Sequence, residues 1–471
     1  MHLRNHAWHA TSTPQPALGI VTATLAVLFL ATSDMTVVST LLPMISASVG
    51  GNAYFPWLMS IFMAMMAFSG LSAGALADRH GMRVTLTSAV ALFLAASMLA
   101  ALSSGIAALL LARALQGVGA GVIIVLSYAS LAAQFGLARH ARVQMLISIT
   151  WGVAAFAGPV LGLLIANRFG WRWVFALNLP IGIACLGVLL RNLAGLEPRR
   201  QTPLDGIAQV SFALLILALM LATSFRQLPI GPRWLAADAG VAAVALATLA
   251  WRVLRAPSAS PLPLAFFTDR GLRIFTIVVP CASMGLYASI TFVPMALMNV
   301  PSRGGWLPLP VMAAAAGFVS ASALAGALIE RFGFRTVAES GALCLAAGAL
   351  ILSRGVAALP LSAIAIAQLL IGMAMGAIAV VAVVYAQCVA PAGYLSTYTS
   401  TIQVLRNGGA ALGINLFSVL QQSDGSTPDT ASNVLAFGTL CTLSLVCIGL
   451  TCGLPKVDAS RSHDGPTTPV R

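Results

Sequence analysis

Gly74-Ala-Leu-Ala-Asp-Arg-His-Gly-Met-Arg83 returns without a gap as Gly326-Ala-Leu-Ile-Glu-Arg-Phe-Gly-Phe-Arg335. Six of the ten positions are identical, and Asp78 matches Glu330 in charge. Each copy follows a long apolar run and joins it to the next by a tight turn, for which Gly81 supplies the conformational freedom. Asp78 is expected to cap the following helix, while Arg79 and Arg83 anchor the turn at a membrane surface. One such turn alone reads as a basic, surface-anchored loop. Two at equivalent places read as a parallel repeat about an axis along the membrane normal, and as a gate latch that forms and breaks as two halves rock. The second copy contributes Glu330, Arg331 and Arg335 to that latch.

The runs around these turns set the solvent. The chain has 471 residues, 59% hydrophobic and 8% charged, whereas a soluble domain carries about 25% charged residues. Lipid must cover most of the surface. Long unbroken apolar runs exclude a β-barrel, whose strands alternate over short segments, and only helices satisfy their own backbone within such a run. The class is all-α integral membrane.

Fourteen spans are predicted, near 17–46, 53–77, 84–103, 106–133, 142–166, 171–191, 205–224, 233–253, 273–299, 307–329, 336–354, 359–388, 393–420 and 431–453. Twelve spans plus a surface-lying hairpin at the seventh and eighth is the alternative. With both termini cytoplasmic, 17 basic residues fall inside and 6 outside, as the positive-inside rule requires. The net charge of +13 is therefore a topology signal rather than a nucleic-acid footprint. Residues 1–191 and 273–471 form two six-helix bundles, and 192–272 a linker with two extra spans. Twenty-four of the 25 basic residues are Arg, which suggests a GC-rich bacterial genome.

Several further stretches carry a family resemblance. Asp34-Met-Thr-Val-Val-Ser-Thr-Leu-Leu-Pro43 resembles the first-helix signature of the fourteen-helix drug:proton antiporters of the major facilitator superfamily. The Gly74–Arg83 turn resembles the superfamily's loop between helices two and three, with Met82 where a basic residue is usual. Arg113-Ala-Leu-Gln-Gly-Val-Gly-Ala-Gly121 resembles its helix-four proton-coupling motif. Gly152 with Gly158-Pro159-Val-Leu-Gly162 is similar to the helix-five antiporter motif, with Leu163 in place of a closing glycine. Trp171-Arg-Trp-Val-Phe-Ala-Leu-Asn-Leu-Pro-Ile-Gly182 resembles the start of helix six in the same group. The resemblance implies the major facilitator fold, two six-helix bundles in pseudo-twofold repeat plus two central helices. It also implies a proton-coupled antiporter working by alternating access, with no cofactor beyond the proton gradient.

Ionisable groups at membrane depth are costly and are functional candidates by default. Asp34 lies roughly 18 Å and Arg113 roughly 10 Å from the outer helix ends at the helical rise, close enough to meet. Burial disfavours a bare carboxylate and a neighbouring guanidinium favours it. A contact that forms and breaks would therefore load and unload a proton; the bland alternative is a static pair locking two helices. Arg406, in front of Asn407-Gly408-Gly409, reads equally as part of a packing face or of coupling. Glu339 reads as an interfacial carboxylate. Gly152, Gly158, Pro159 and Gly162 read as a hinge or as a packing face. Trp57, Met59, Met63, Met65 and Met66 on helix two, with Gln116, Trp151, Tyr287 and Phe292, are candidates for a soft substrate wall.

The leading function is export of small lipophilic, often cationic compounds across a bacterial inner membrane, with Asp34 serving proton and substrate. An anionic metabolite or siderophore is the alternative, because one acid faces two arginines at mid-depth. Expected partners are the substrate, protons and lipid, and no nucleic acid; a periplasmic adaptor is not readable from sequence. Tails of about 16 and 18 residues are too short for an appended domain. His2, His6, His9, His80, His140 and His463 all lie outside the spans, and no C-x-x-C occurs. Neither a metal nor an enzyme active site is expected.

Overall fold

In the computed structural model of the chain, residues 18–49, 54–135, 140–192, 205–223, 232–255, 263–298, 300, 303, 306–391, 395–421 and 430–455 are described. Among the basic residues counted above, Arg4, Arg139, Arg199, Arg200, Arg226, Lys456, Arg461 and Arg471 lie outside them. Every regular element described is helical. The first six helices are α1 (Leu18–Val49), α2 (Phe55–His80), α3 (Met82–Leu102), α4 (Ile106–Phe135), α5 (His140–Phe169) and α6 (Arg172–Asn192). Then come α7 (Gly206–Thr223), α8 (Pro232–Arg255) and the single turn α9 (Ala265–Thr268). The last group is α10 (Arg270–Met298), α11 (Pro308–Leu352), α12 (Leu361–Val389), α13 (Leu395–Gln421) and α14 (Thr430–Thr451).

Eleven of these helices are long and apolar enough to cross a membrane. The expected fourteen differ from that count for physical reasons. The 45-residue α11 is two spans joined at Gly333, whose φ of 79° breaks the helix. The described apolar stretch of α7 ends at Ala222 and is short, and α13 carries Gln403, Arg406, Asn407 and Asn415 among its polar residues. Ser72 of α2 donates to Gln209 Oε1 of α7 at 2.8 Å, and further along α7 Ile216 approaches Gly408 of α13. The hairpin α7–α8 packs on the bundle through α7 and is closed by a bidentate pair between Arg252 and Asp205 at 2.8 Å.

The repeat extends far beyond the quoted turn. Gly81 and Gly333 both adopt positive φ, 86° and 79°. Gly117 and Gly121 of α4 press on the Phe62 and Met66 carbonyls of α2, and Gly372 and Gly376 of α12 press on those of Ala314 and Phe318 of α11. A methyl group at any of these four would collide with backbone, so glycine is what lets each helix pair approach. The shift along the chain that carries Gly117 to Gly372 also carries Gly121 to Gly376.

Asp78 lies in the last turn of α2, and Gly81 stands between α2 and α3. Thr85 ties the turn, donating to the Gly81 and Leu76 carbonyls at 3.0 and 3.2 Å. A hydroxyl four residues into the helix reaches both carbonyls. Glu339 pairs with Arg335 at 2.7 Å, one turn away on the same helix face. Arg79, Arg83 and Glu330 are exposed, and the Arg331 guanidinium lies 5.2 Å from the Phe332 ring.

The start of α6 explains its paired tryptophans and arginine. Trp171 Nε1 donates to Ser48 Oγ at 2.6 Å, and Arg172 donates from Nε and Nη2 to the Ser103 carbonyl. The ends of α1, α3 and α6 are thereby fastened together. Within the first half α1 packs on α5 and α6, and α2 on α4; within the second α10 packs on α13 and α12, and α11 on α12 and α14. Between halves α2 meets α13, α5 meets α11, and α1 meets α10.

Candidate functional site

Asp34 and Arg113 meet inside the first half. Arg113 Nη1 donates to Asp34 Oδ2 and, at 2.9 Å, to Gln116 Oε1. Its Nε donates to the Leu58 carbonyl of α2 at 3.0 Å, and its guanidinium lies 4.2 Å from the Phe62 ring centre. Gln116 Nε2 donates to Ser97 Oγ at 2.9 Å and stands 3.5 Å from Asp34 Oδ1. Asn178 of α6 reaches the same Ser97 hydroxyl at 3.3 Å. Five helices thus contribute to one polar cluster sealed from solvent, with Arg113 fully buried and Asp34 nearly so. An ion pair at such depth is stable only while both partners stay; removing one leaves an uncompensated charge.

Three of the cavity candidates, Gln116, Met63 and Trp57, lie outside the chamber. Gln116 is part of the ion-pair cluster. Met63 is fully buried in the packing of α2, as are Met59 and Met66, and neither Met63 nor the buried Trp57 lines the chamber described next. Spacing of three and four residues along α2 faces these side chains into the bundle, so the methionine stripe is core. Phe292 stacks on Phe417 inside the second half.

The chamber lies between halves. Thr32, Met35 and Thr36 of α1, Trp151 and Ala155 of α5, Tyr287 and Ile290 of α10, and Val311 and Phe318 of α11 line a cavity of about 60 Å³. Ligand sites for drug-sized molecules span about 300–1,000 Å³, more than this cavity offers. No acid is among its lining residues. Met35 and Thr36 face the chamber from α1 while Asp34, between them and Ser33, turns into the first half. One helix thus carries the ion pair on one face and the chamber wall on another.

Arg406 does face the seam. Its guanidinium lies 5.4 Å from the Trp151 ring centre, across the two halves, and the Trp151 N–H donates to the Tyr128 hydroxyl at 3.2 Å. Gln403, with its amide oxygen turned inward, accepts from Arg406 Nε at 3.2 Å and from Nη2. Tyr128, Phe318, Ser97 and Asn178 escaped the sequence reading. Only Asn178 sat in a quoted motif; the others are ordinary residues of apolar runs, and nothing but folding brings them in.

The glycines of α5 are mainly a packing face. A methyl at Gly158 would stand 2.5 Å from Thr36 Oγ1, and one at Gly162 2.7 Å from Val37, both on α1. A methyl at Gly152 would meet Val319 of α11 across the seam at 3.5 Å, an ordinary contact, and α5 runs unbroken through Pro159.

A profile of the Major Facilitator Superfamily matches residues 24–414. The chain belongs to the Major Facilitator Superfamily. It is 26% identical over 416 residues to the multidrug transporter protein MdtP of Bacillus subtilis, covering 86% of this chain and 75% of that one. It is 30% identical over 418 residues to a multidrug resistance protein B homolog of Mycobacterium tuberculosis, covering 85% and 73%. The methyl viologen resistance protein SmvA of Salmonella typhimurium is 29% identical over 322 residues, 65% of this chain and 63% of that one. These relatives agree with the resemblance to drug:proton antiporters. The fold matches the solved transporter PepTSo with a TM-score of 0.69 at 14% identity, over 92% of this chain and 97% of that one. This superfamily member is a multi-pass membrane transporter and not an enzyme.

Proposed function

We propose that the chain is a proton-driven exporter of small lipophilic compounds, working by alternating access in a bacterial inner membrane with both termini cytoplasmic. The observation that carries this reading is the buried Asp34–Arg113 pair on the helix that also walls the chamber. Protonation of Asp34 removes the charge that holds Arg113, which keeps Gln116 and the Leu58 carbonyl as partners. Helix α1 is then freed from α4, and with it Thr32, Met35 and Thr36 move at the chamber wall. Proton loading and chamber shape are coupled through one rigid element.

The second support is the seal. Ser60 of α2 donates to Asn415 Oδ1 of α13 at 3.0 Å, both buried, near the helix ends away from the Gly81 turn. Toward the turn, Tyr128, Ser400 and Gln403 are partly exposed. On this reading the Ser60–Asn415 contact seals the periplasmic side, and cargo enters from the cytoplasm. Relatives named for multidrug resistance support lipophilic cargo.

The test is export of a panel of lipophilic dyes from proteoliposomes holding the intact chain, with an imposed pH gradient. Uphill movement that collapses on adding a protonophore is expected. Movement indifferent to the gradient and the protonophore would contradict proton drive.

A further inference from the structure

The molecule holds two buried arginines at membrane depth, and they are treated differently. Arg113 has a carboxylate, a backbone carbonyl and an amide oxygen around it. Arg406 is 8% exposed and has no carboxylate within ion-pair distance among the described residues. Its protein partners are the Gln403 amide oxygen and the face of Trp151. A guanidinium carries five N–H donors in a fork that matches a planar oxyanion, and Gln403 takes only those on Nε and Nη2. A cation kept in this half-satisfied state at mid-membrane is costly.

Its surroundings say what the remaining donors are for. Arg406 lies 11 residues into α13 and Trp151 11 residues into α5, each about 17 Å along its helix at the helical rise. Trp151 serves two surfaces at once: it lines the chamber and backs the guanidinium. The hydrogen bond to Tyr128 fixes the indole plane, and Phe318 packs at 6.4 Å from it. Arg406 and Tyr128 do not themselves line the chamber; they stand behind Trp151, one side chain away from an aromatic, acid-free wall.

We propose that Arg406, with Trp151 and Tyr128, forms a subsite for the anionic group of an amphiphilic aromatic substrate, a carboxylate or sulfonate whose apolar body fills the enlarged chamber. The proposal rests on the exporter reading for the chamber itself, but binding here needs no proton gradient. The guanidinium fork takes the oxyanion, the indole and phenol flank the ring, and the Asp34 charge stays on the far side of α1. A cationic compound would meet Arg406 with no counter-charge at the wall.

The test is equilibrium binding to the purified full-length chain in detergent at constant pH, followed by fluorescence anisotropy. The probes are fluorescein and anilinonaphthalene sulfonate as anions and rhodamine 6G as a cation. Wild type should bind at least one anion more tightly than rhodamine 6G. Arg406→Gln should weaken that anion about tenfold, the worth of a charge-assisted hydrogen bond, and leave rhodamine 6G unchanged or tighter. Arg406→Lys should restore much of the loss, and Trp151→Ala should weaken the anion without reversing the preference. Monodisperse elution of each variant reports folding, and rescue by Lys separates charge from mere packing. Failure of both anions to bind wild type, or equal weakening of anion and cation by Arg406→Gln, would overturn the subsite. Binding without gradient-driven export would leave the subsite standing and remove the exporter reading; export with no anion preference would do the reverse.

Discussion

Ser289 donates to Gln368 Oε1 at 2.9 Å, and this neutral pair occupies in the second half the place that Asp34 and Arg113 hold in the first. In each case 79 residues separate the partners. The shift along the chain that joins the two pairs is also the one that joins Gly117 to Gly372. One half of the repeat holds a titratable pair and the other a neutral hydrogen bond, so the proposed proton coupling falls to the first half.

Ser289→Ala should therefore leave the pH dependence of export unchanged while costing about 1 kcal/mol, the net worth of a neutral hydrogen bond. Thermal unfolding and a pH profile of dye export check both parts. A shifted profile would mean the second half also carries protons.

The ion pair itself should show strong coupling in stability. Arg113→Met or Asp34→Leu alone leaves a buried charge without its partner and should cost about 3–5 kcal/mol, whereas the double variant should recover most of it. Thermal melts of the four proteins in one detergent complete the cycle. Additive losses would show that the two side chains do not depend on each other.

Much of this was legible in the sequence. The turn at Gly81 and its copy at Gly333 announced the repeat, and loop arginines gave a sidedness. Asp34 and Arg113 stood out because charge is scarce in apolar runs. The chamber was not legible. Met63 and Trp151 look alike as large apolar residues in apolar helices, and only the rotation of α2 and α5 in the bundle decides that one is core and the other wall. The hydropathy count of spans falls short of the sequence reading at α7, α11 and α13, and in α13 the cause is polar residues that depress its mean hydropathy.

Rocking of the halves should need the seal between α2 and α13 to open. In a background lacking the seven native cysteines, Ser60→Cys with Asn415→Cys should cross-link under oxidant and stop export, and reductant should restore it. Undiminished export by the cross-linked protein would mean that this contact is not part of the cycle.

Close helix approach should be intolerant of a single methyl. Gly117→Ala and Gly372→Ala each drive a methyl into a facing carbonyl, and overpacking of this kind costs about 1–3 kcal/mol. Gly187→Ala, where nothing lies within 4 Å, should melt like wild type. Equal melting temperatures for all three would show that the glycines do not set the α2–α4 and α11–α12 spacing.

The most direct measurement is export driven by an imposed pH gradient in proteoliposomes holding wild type or Asp34→Asn at equal inserted amounts. The account predicts that the variant inserts, equilibrates dye down a dye gradient, and shows no response to the pH gradient. Wild-type uphill export by Asp34→Asn would contradict it.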